Sequence, residues 1–211
     1  MLRKTKEVYY RQRKPIIALV CEGRNQTESK YFNHFNKREN PFNLKIFPSE
    51  ATDPKNMAKK ARNIIDDLQL ENSLGDRIFC LVDLDISNNQ LNKVMEEKSR
   101  KTKKKCKVEF ILSNPCFEVW LLYYFVQHPR VEQSSQKVKE QLKKIVPQYN
   151  ESFDIVKECG LQDKYATAIN RADLKNMSYD KNDFILDKNP YTEIPKLLDL
   201  LLNYNSIKNE G

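Results

Sequence analysis

Three near-continuous apolar runs stand out from an otherwise polar chain: "PIIALVC" (15–21), "RIFCLVDLD" (77–85) and "KVEFILS" (107–113). Each is rich in β-branched residues and lacks a polar alternation, the pattern of strands covered on both faces. A shorter run, "NLKIF" (43–47), is a fourth strand candidate. Between them the apolar spacing changes to a helical period. "NQTESKYFNHFNK" puts Tyr31, Phe32 and Phe35 on one side. In "TDPKNMAKKARNIIDDLQLEN", Thr52 or Asp53 and Pro54 supply a start signal. Met57, Ala61, Ile64, Ile65 and Leu68 form its apolar stripe, and Gly75 follows its end. A polar helix is expected at about 88–104, and "SNPCFEVWLLYYF" (113–125) opens on cap residues and continues as an apolar helix.

This β-α-β-α-β-α-β-α order predicts an α/β fold, a parallel sheet with helices on both faces. From about 134 onward only helices are expected: 134–146, 161–175 and 190–204. Pro190 and Pro195 fall in the first turn of the last, and Ile194, Leu197, Leu198 and Leu201 form its buried stripe. The organisation is therefore a basic N-terminal arm (1–14), an α/β core (15–128) and a helical C-terminal extension (129–211) packed on that core.

In an open parallel sheet, functional groups gather beyond the carboxyl ends of the strands. Glu22 ends the first long strand, with Gly23 beside it for a tight turn; Asp83 and Asp85 end the "RIFCLV" strand. Two apart in extended chain, the aspartates would share one face. Acids converging in this way repel one another unless a cation sits among them, and oxygen-only ligands suit Mg²⁺ or Mn²⁺. Asp83 and Asp85 are candidate ligands, while Glu22 is either a third ligand or the general base for phosphodiester hydrolysis. Glu118, in the first turn after Pro115, is a further candidate ligand or a helix-dipole acid, and Glu28 a positioning acid or a plain helix-face acid.

Composition narrows the classes. The net charge is +8, with 37 Lys and Arg against 29 Asp and Glu, which suits a nucleic-acid partner or simple solubility. The positive charge is concentrated in the first 14 residues, which hold six, and in "KSRKTKKKCK" (98–107), which holds seven. Arg11, Arg13 and Lys14 of the arm are candidate phosphate contacts, as are Lys103, Lys104 and Lys105, although that cluster precedes a strand and is expected at the edge opposite the acids. Lys164 and Arg171, in the C-terminal helical part, are further candidates. Five cysteines without a CxxC pair, and only His34 and His128, argue against zinc and against Cys/His or Ser/His/Asp catalysis. No apolar stretch reaches the ~18 residues of a membrane helix, so a soluble, cytoplasmic protein with no membrane partner is expected. There is no Walker-type phosphate loop.

"ALVCEGRNQTESKYF", "LVDLD", "LSNPCFEVWLLYYF" and the late "NPYTEIPKLLDLL" resemble the RloB-like proteins of the Toprim-type nuclease superfamily, and "ADLKNM" does so less closely. The resemblance implies a Toprim-like core that binds Mg²⁺ through an N-terminal glutamate and a D-x-D pair, which map onto Glu22, Asp83 and Asp85. It further implies a nuclease acting on DNA or RNA in phage defence or a restriction-linked locus, with a separate ATPase or other defence subunit as partner. A non-catalytic nucleic-acid-binding or regulatory subunit is the alternative.

Overall fold

The computed structural model describes residues 13–23 and 26–204. Four strands, β1 (Ile16–Glu22), β2 (Asn43–Ser49), β3 (Arg77–Asp83) and β4 (Val108–Asn114), run parallel. A two-residue strand, β5 (Tyr191–Thr192), pairs antiparallel with β4 and closes the order β2-β1-β3-β4-β5. The helices are α1 (Thr27–Asn33), α2 (Pro54–Asp67), α3 (Asn88–Ser99), α4 (Glu118–Leu122), α5 (Ser135–Ile145), α6 (Ile155–Glu158), α7 (Tyr165–Met177) and α8 (Ile194–Leu202).

The unbroken apolar runs follow from burial on both faces of the sheet. Ala18 and Val20 of β1 join Ile78, Cys80 and Val82 of β3 beneath α2 and α3. Ile17, Leu19 and Cys21 point the other way with Phe79 and Leu81, into a core shared with α1, α4 and the C-terminal helices. Trp120 is fully buried there, edge-on to Tyr31 and Tyr124.

Helix α2 starts as its sequence predicts: the Asp53 side chain accepts from the backbone N–H of Lys55 (3.0 Å) and Asn56 (3.3 Å). It ends earlier than expected, at Asp67, with Gln69 left-handed (φ 50°). Gly75 instead ends a short 3₁₀ turn at Asn72–Leu74, with φ 81° and Pro15 and Tyr204 pressed against it.

The expectation of helices only after residue 134 is corrected by β5. Ser113 and Thr192 are register partners whose hydroxyls lie 3.1 Å apart. Glu193 reinforces the junction: its N–H donates to the Leu112 carbonyl (2.8 Å), and its carboxylate accepts from the Leu112 N–H (3.1 Å). Pro190 accordingly precedes a strand, and only Pro195 lies in the first turn of α8. The C-terminal region thus contributes both a strand to the sheet and apolar side chains to one of its two cores.

Candidate metal centre

Parallel strands bring their carboxyl ends to one edge, so Glu22, Asp83 and the turn after β4 meet there. That turn is tightly knitted. The N–H groups of Leu84 and Asp85 donate to the carbonyls of Ser113 and Pro115, both at 2.9 Å. Asn114, fully buried, accepts from the Ile86 N–H (3.2 Å) and donates to the carbonyls of Leu186 (3.1 Å) and Lys188 (3.0 Å). One side chain therefore locks the β3 turn and the 186–188 loop to the end of β4, which fixes the start of the "NPCFE" segment.

Ligand atoms of Asp83, Cys116 and Glu118 lie within 4.8 Å of one another. Glu118 is 2% exposed and accepts from the Tyr149 hydroxyl at 2.9 Å. Lys139, on α5, reaches Glu118 at 3.7 Å and Glu151 at 2.7 Å. Burial works against the charge of Lys139, yet the acids around it hold its pKa above the ordinary lysine value. Glu28 is 3% exposed, and its Oε2 has no hydrogen-bond partner among the described residues.

The acids pay for their convergence in proton affinity. Burial, then repulsion from Glu28, Glu118, Glu22 and Asp85, pushes the Asp83 carboxyl well above the carboxylate range. Burial and then Glu118 and Glu22 do the same to Glu28, while burial and Asp85 raise Glu22. The Cys116 thiol is raised by burial and by Glu118 and Asp83.

The anticipated trio is only partly assembled. Glu22 is half-buried at the rim and stands outside the tight three-residue group. The idea that Asp83 and Asp85 share a strand face is corrected: β3 ends at Asp83, and Asp85 is an exposed turn residue with φ 49°. Its carboxylate accepts from the Ser135 hydroxyl at the start of α5. Glu118 and Glu28 do join the acids. Gly23 is needed for close approach, since its N–H donates to the Ser49 carbonyl at 2.6 Å and a Cβ there would lie 2.7 Å from that oxygen.

The cationic candidates fall elsewhere. Arg11 lies outside the described residues. Arg13 grips the buried Asp76 with two hydrogen bonds (2.8 and 2.5 Å), and Lys14 donates to the carbonyls of Arg38 (2.9 Å) and Asn40 (2.5 Å). These contacts, like the lysine cluster, sit at the edge where the strands begin. Lys104 pairs with Asp66 and Lys105 with Glu71, and Lys103 lines a surface cavity with them. The Arg171 guanidinium donates through one nitrogen to the carbonyls of Tyr123 (2.9 Å) and Tyr124 (3.2 Å), a structural task at the end of α4. Lys164 is exposed beside the start of α7.

Sequence reasoning missed Cys116, Lys139 and Tyr149. Cys116 was in view inside "SNPCFE", two residues before Glu118. Lys139 and Tyr149 carried no local signal, because only the packing of α5 against α4 and the 149–152 loop brings them to the acids. Beside them is a cavity of about 460 Å³ lined by Gln26, Gln136, Lys139, Lys143, Tyr149 and Asn150, among others.

A family model described as RloB-like protein matches residues 17–201. No curated protein and no solved structure gives a match.

Proposed function

The chain belongs to the RloB-like protein family, and from that premise we propose that it is a divalent-metal-dependent nuclease hydrolysing phosphodiester bonds of DNA or RNA. The carrying observation is the convergence of Asp83 and Glu118 within 4.8 Å, with Glu28 and Glu22 close enough to raise the proton affinity of Asp83. Among the described residues the carboxyls of Asp83, Glu118, Glu28 and Glu22 face the Lys139 ammonium, so full ionisation calls for more positive charge than Lys139 alone supplies. The unsatisfied Glu28 oxygen fits the same demand.

In this reading Asp83 and Glu118 hold Mg²⁺ or Mn²⁺, with Asp85 at the rim. Such a cation supplies Lewis acidity toward a phosphate oxygen and eases deprotonation of water. Glu22, half-buried and outside the tight group, takes the proton; its raised pKa brings it nearer to working pH, as suits a general base. Tyr149 and Lys139 orient the Glu118 carboxylate. The cavity along α5, with Lys139 and Lys143 on its wall, receives the phosphodiester backbone. A Toprim-type ancestry, a role in restriction-linked phage defence and a separate ATPase or other defence subunit as partner belong to this same proposal. So does the cytoplasm as its place of action; among the described residues no helix is long and apolar enough to cross a membrane.

One observation favours a second reading, a non-catalytic binding or regulatory module: Lys139 already sets a positive charge 3.7 Å from Glu118. The test is cleavage of duplex DNA, single-stranded DNA and structured RNA with Mg²⁺, Mn²⁺ or EDTA, beside folded Asp83→Asn and Glu118→Gln variants. Metal-dependent cutting lost in both variants is the expected result. Binding without cutting, indifferent to metal and to both substitutions, would establish the second reading.

A further inference from the structure

Cys116 does not match an all-oxygen site. It is fully buried, its sulfur belongs to the same 4.8 Å group as the carboxylates of Asp83 and Glu118, and its other polar neighbour is the Ser135 carbonyl, at a long 4.0 Å. Mg²⁺ demands hard oxygen ligands in near-ideal octahedral array and gains little from sulfur. Thiolate selects instead for transition cations. A cysteine with two carboxylates forms a three-ligand set that leaves positions open for water or substrate, as catalytic rather than structural centres do.

A second feature points into the same place. The Glu28 carboxyl is more than nine-tenths buried, its Oε2 has no hydrogen-bond partner among the described residues, and its charge bears on Asp83 as those of Glu118 and Glu22 bear on it. A buried polar atom of this kind is costly unless something in the cluster answers it. A cation among Asp83, Cys116 and Glu118 would offset the negative charge that Glu28 shares with Asp83 and Glu118.

We propose that Cys116 is a sulfur ligand of this centre, and that the centre therefore prefers a first-row transition dication over Mg²⁺. On binding, the metal–sulfur bond forms as the S–H bond breaks, and the proton leaves to solvent. The inference rests on the acidic centre holding a cation, and it does not require that the chain cut anything.

The experiment is titration of the metal-free protein with Co²⁺, followed through the near-ultraviolet thiolate-to-cobalt charge-transfer band. Competition with Mn²⁺ and with Mg²⁺ follows. Wild-type protein is expected to develop the band with saturation at one cobalt per chain and to lose it in Cys116→Ser and Asp83→Asn. Cys159→Ser, which removes the more exposed thiol, retains it. Mn²⁺ should displace cobalt at concentrations at least about tenfold below Mg²⁺, and Cys116→Ser should narrow that gap. Cys116→Asp guards against a folding artefact: it restores an oxygen ligand, so it keeps cation binding by calorimetry while losing the band. Cobalt binding without the band, a band that survives in folded Cys116→Ser, or no cobalt binding would each overturn the proposal. Sulfur-bound cobalt in a protein that cleaves no nucleic acid would leave this inference standing and remove the nuclease reading.

Discussion

Replacing Asp83 by Asn should stabilise the metal-free protein, the reverse of what most substitutions at a crowded site do. Asp83 and Glu118 oxygens lie within 4.8 Å. Two unit charges at that distance repel by about 3.5 kcal/mol at an effective dielectric constant near 20. Lys139, 3.7 Å from Glu118, returns part of this, so a net gain of about 2 kcal/mol is expected at alkaline pH, or roughly 4–8 °C in Tm for a chain of this size. The pH dependence has a definite sign. The carboxyls of Asp83, Glu28 and Glu22 have folded-state pKa values above their ordinary 3.8 or 4.5. Between the unfolded and folded values the folded chain holds the extra protons, so stability falls as pH rises through that window. Below the ordinary values the penalty is absent. Thermal melts in EDTA should therefore show wild-type Tm declining from mildly acidic to alkaline pH, with Asp83→Asn declining less. Mn²⁺ should raise wild-type Tm most at the alkaline end and leave the variant nearly unmoved. A variant that melts lower than wild type across the whole range in EDTA, with metal shifting both proteins equally, would refute the reasoning.

Other outcomes follow from single contacts. Gly23→Ala sets a Cβ 2.7 Å from the Ser49 carbonyl oxygen, an overpacking cost of about 1–3 kcal/mol that denaturant melts would register. Asp76→Ala strips acceptors from the backbone N–H groups of Ile16 (2.8 Å) and Glu71 (2.9 Å) and from Arg13, for a loss of about 2–4 kcal/mol. Although burial opposes its charge, the Arg13 guanidinium and those two N–H groups hold the Asp76 carboxyl below its usual value. Its contribution is present above pH 3.8 and lost as pH falls through the lower folded value, so the variant should lack part of the wild-type acid limb. Lys143→Glu should weaken nucleic-acid binding and lower its salt slope by about 1 in fluorescence anisotropy, whereas Lys104→Glu, which breaks only the pairing with Asp66, should not.

The four parallel strands and most of the helices were legible because their information is local. A run such as "IIALVC" needs cover on two faces wherever it lies, and Asp53 caps α2 through the N–H groups of its own next turn. Placement of acids at strand ends was legible for the same reason: a parallel sheet sends every carboxyl end to one edge. What the chain does after a strand ends was not. Asp83 and Asp85 look equivalent in sequence, yet β3 stops at Asp83, and the positive φ of Asp85 turns it toward Ser135, 50 residues away. β5 is two residues long, too short to show a period, and exists only because β4 offers it an edge. The charge balance of the site was also hidden, since Lys139 and Tyr149 reach Glu118 across 21 and 31 residues of sequence. Likewise Arg13 and Arg171 look like free cations until folding gives them Asp76 and the end of α4. Sequence alone determined which segments are buried and at which edge the acids emerge, because periodicity and strand direction are properties of neighbouring residues. Only the tertiary structure decided which side chains meet and which charges are already answered, because those contacts depend on distance in space.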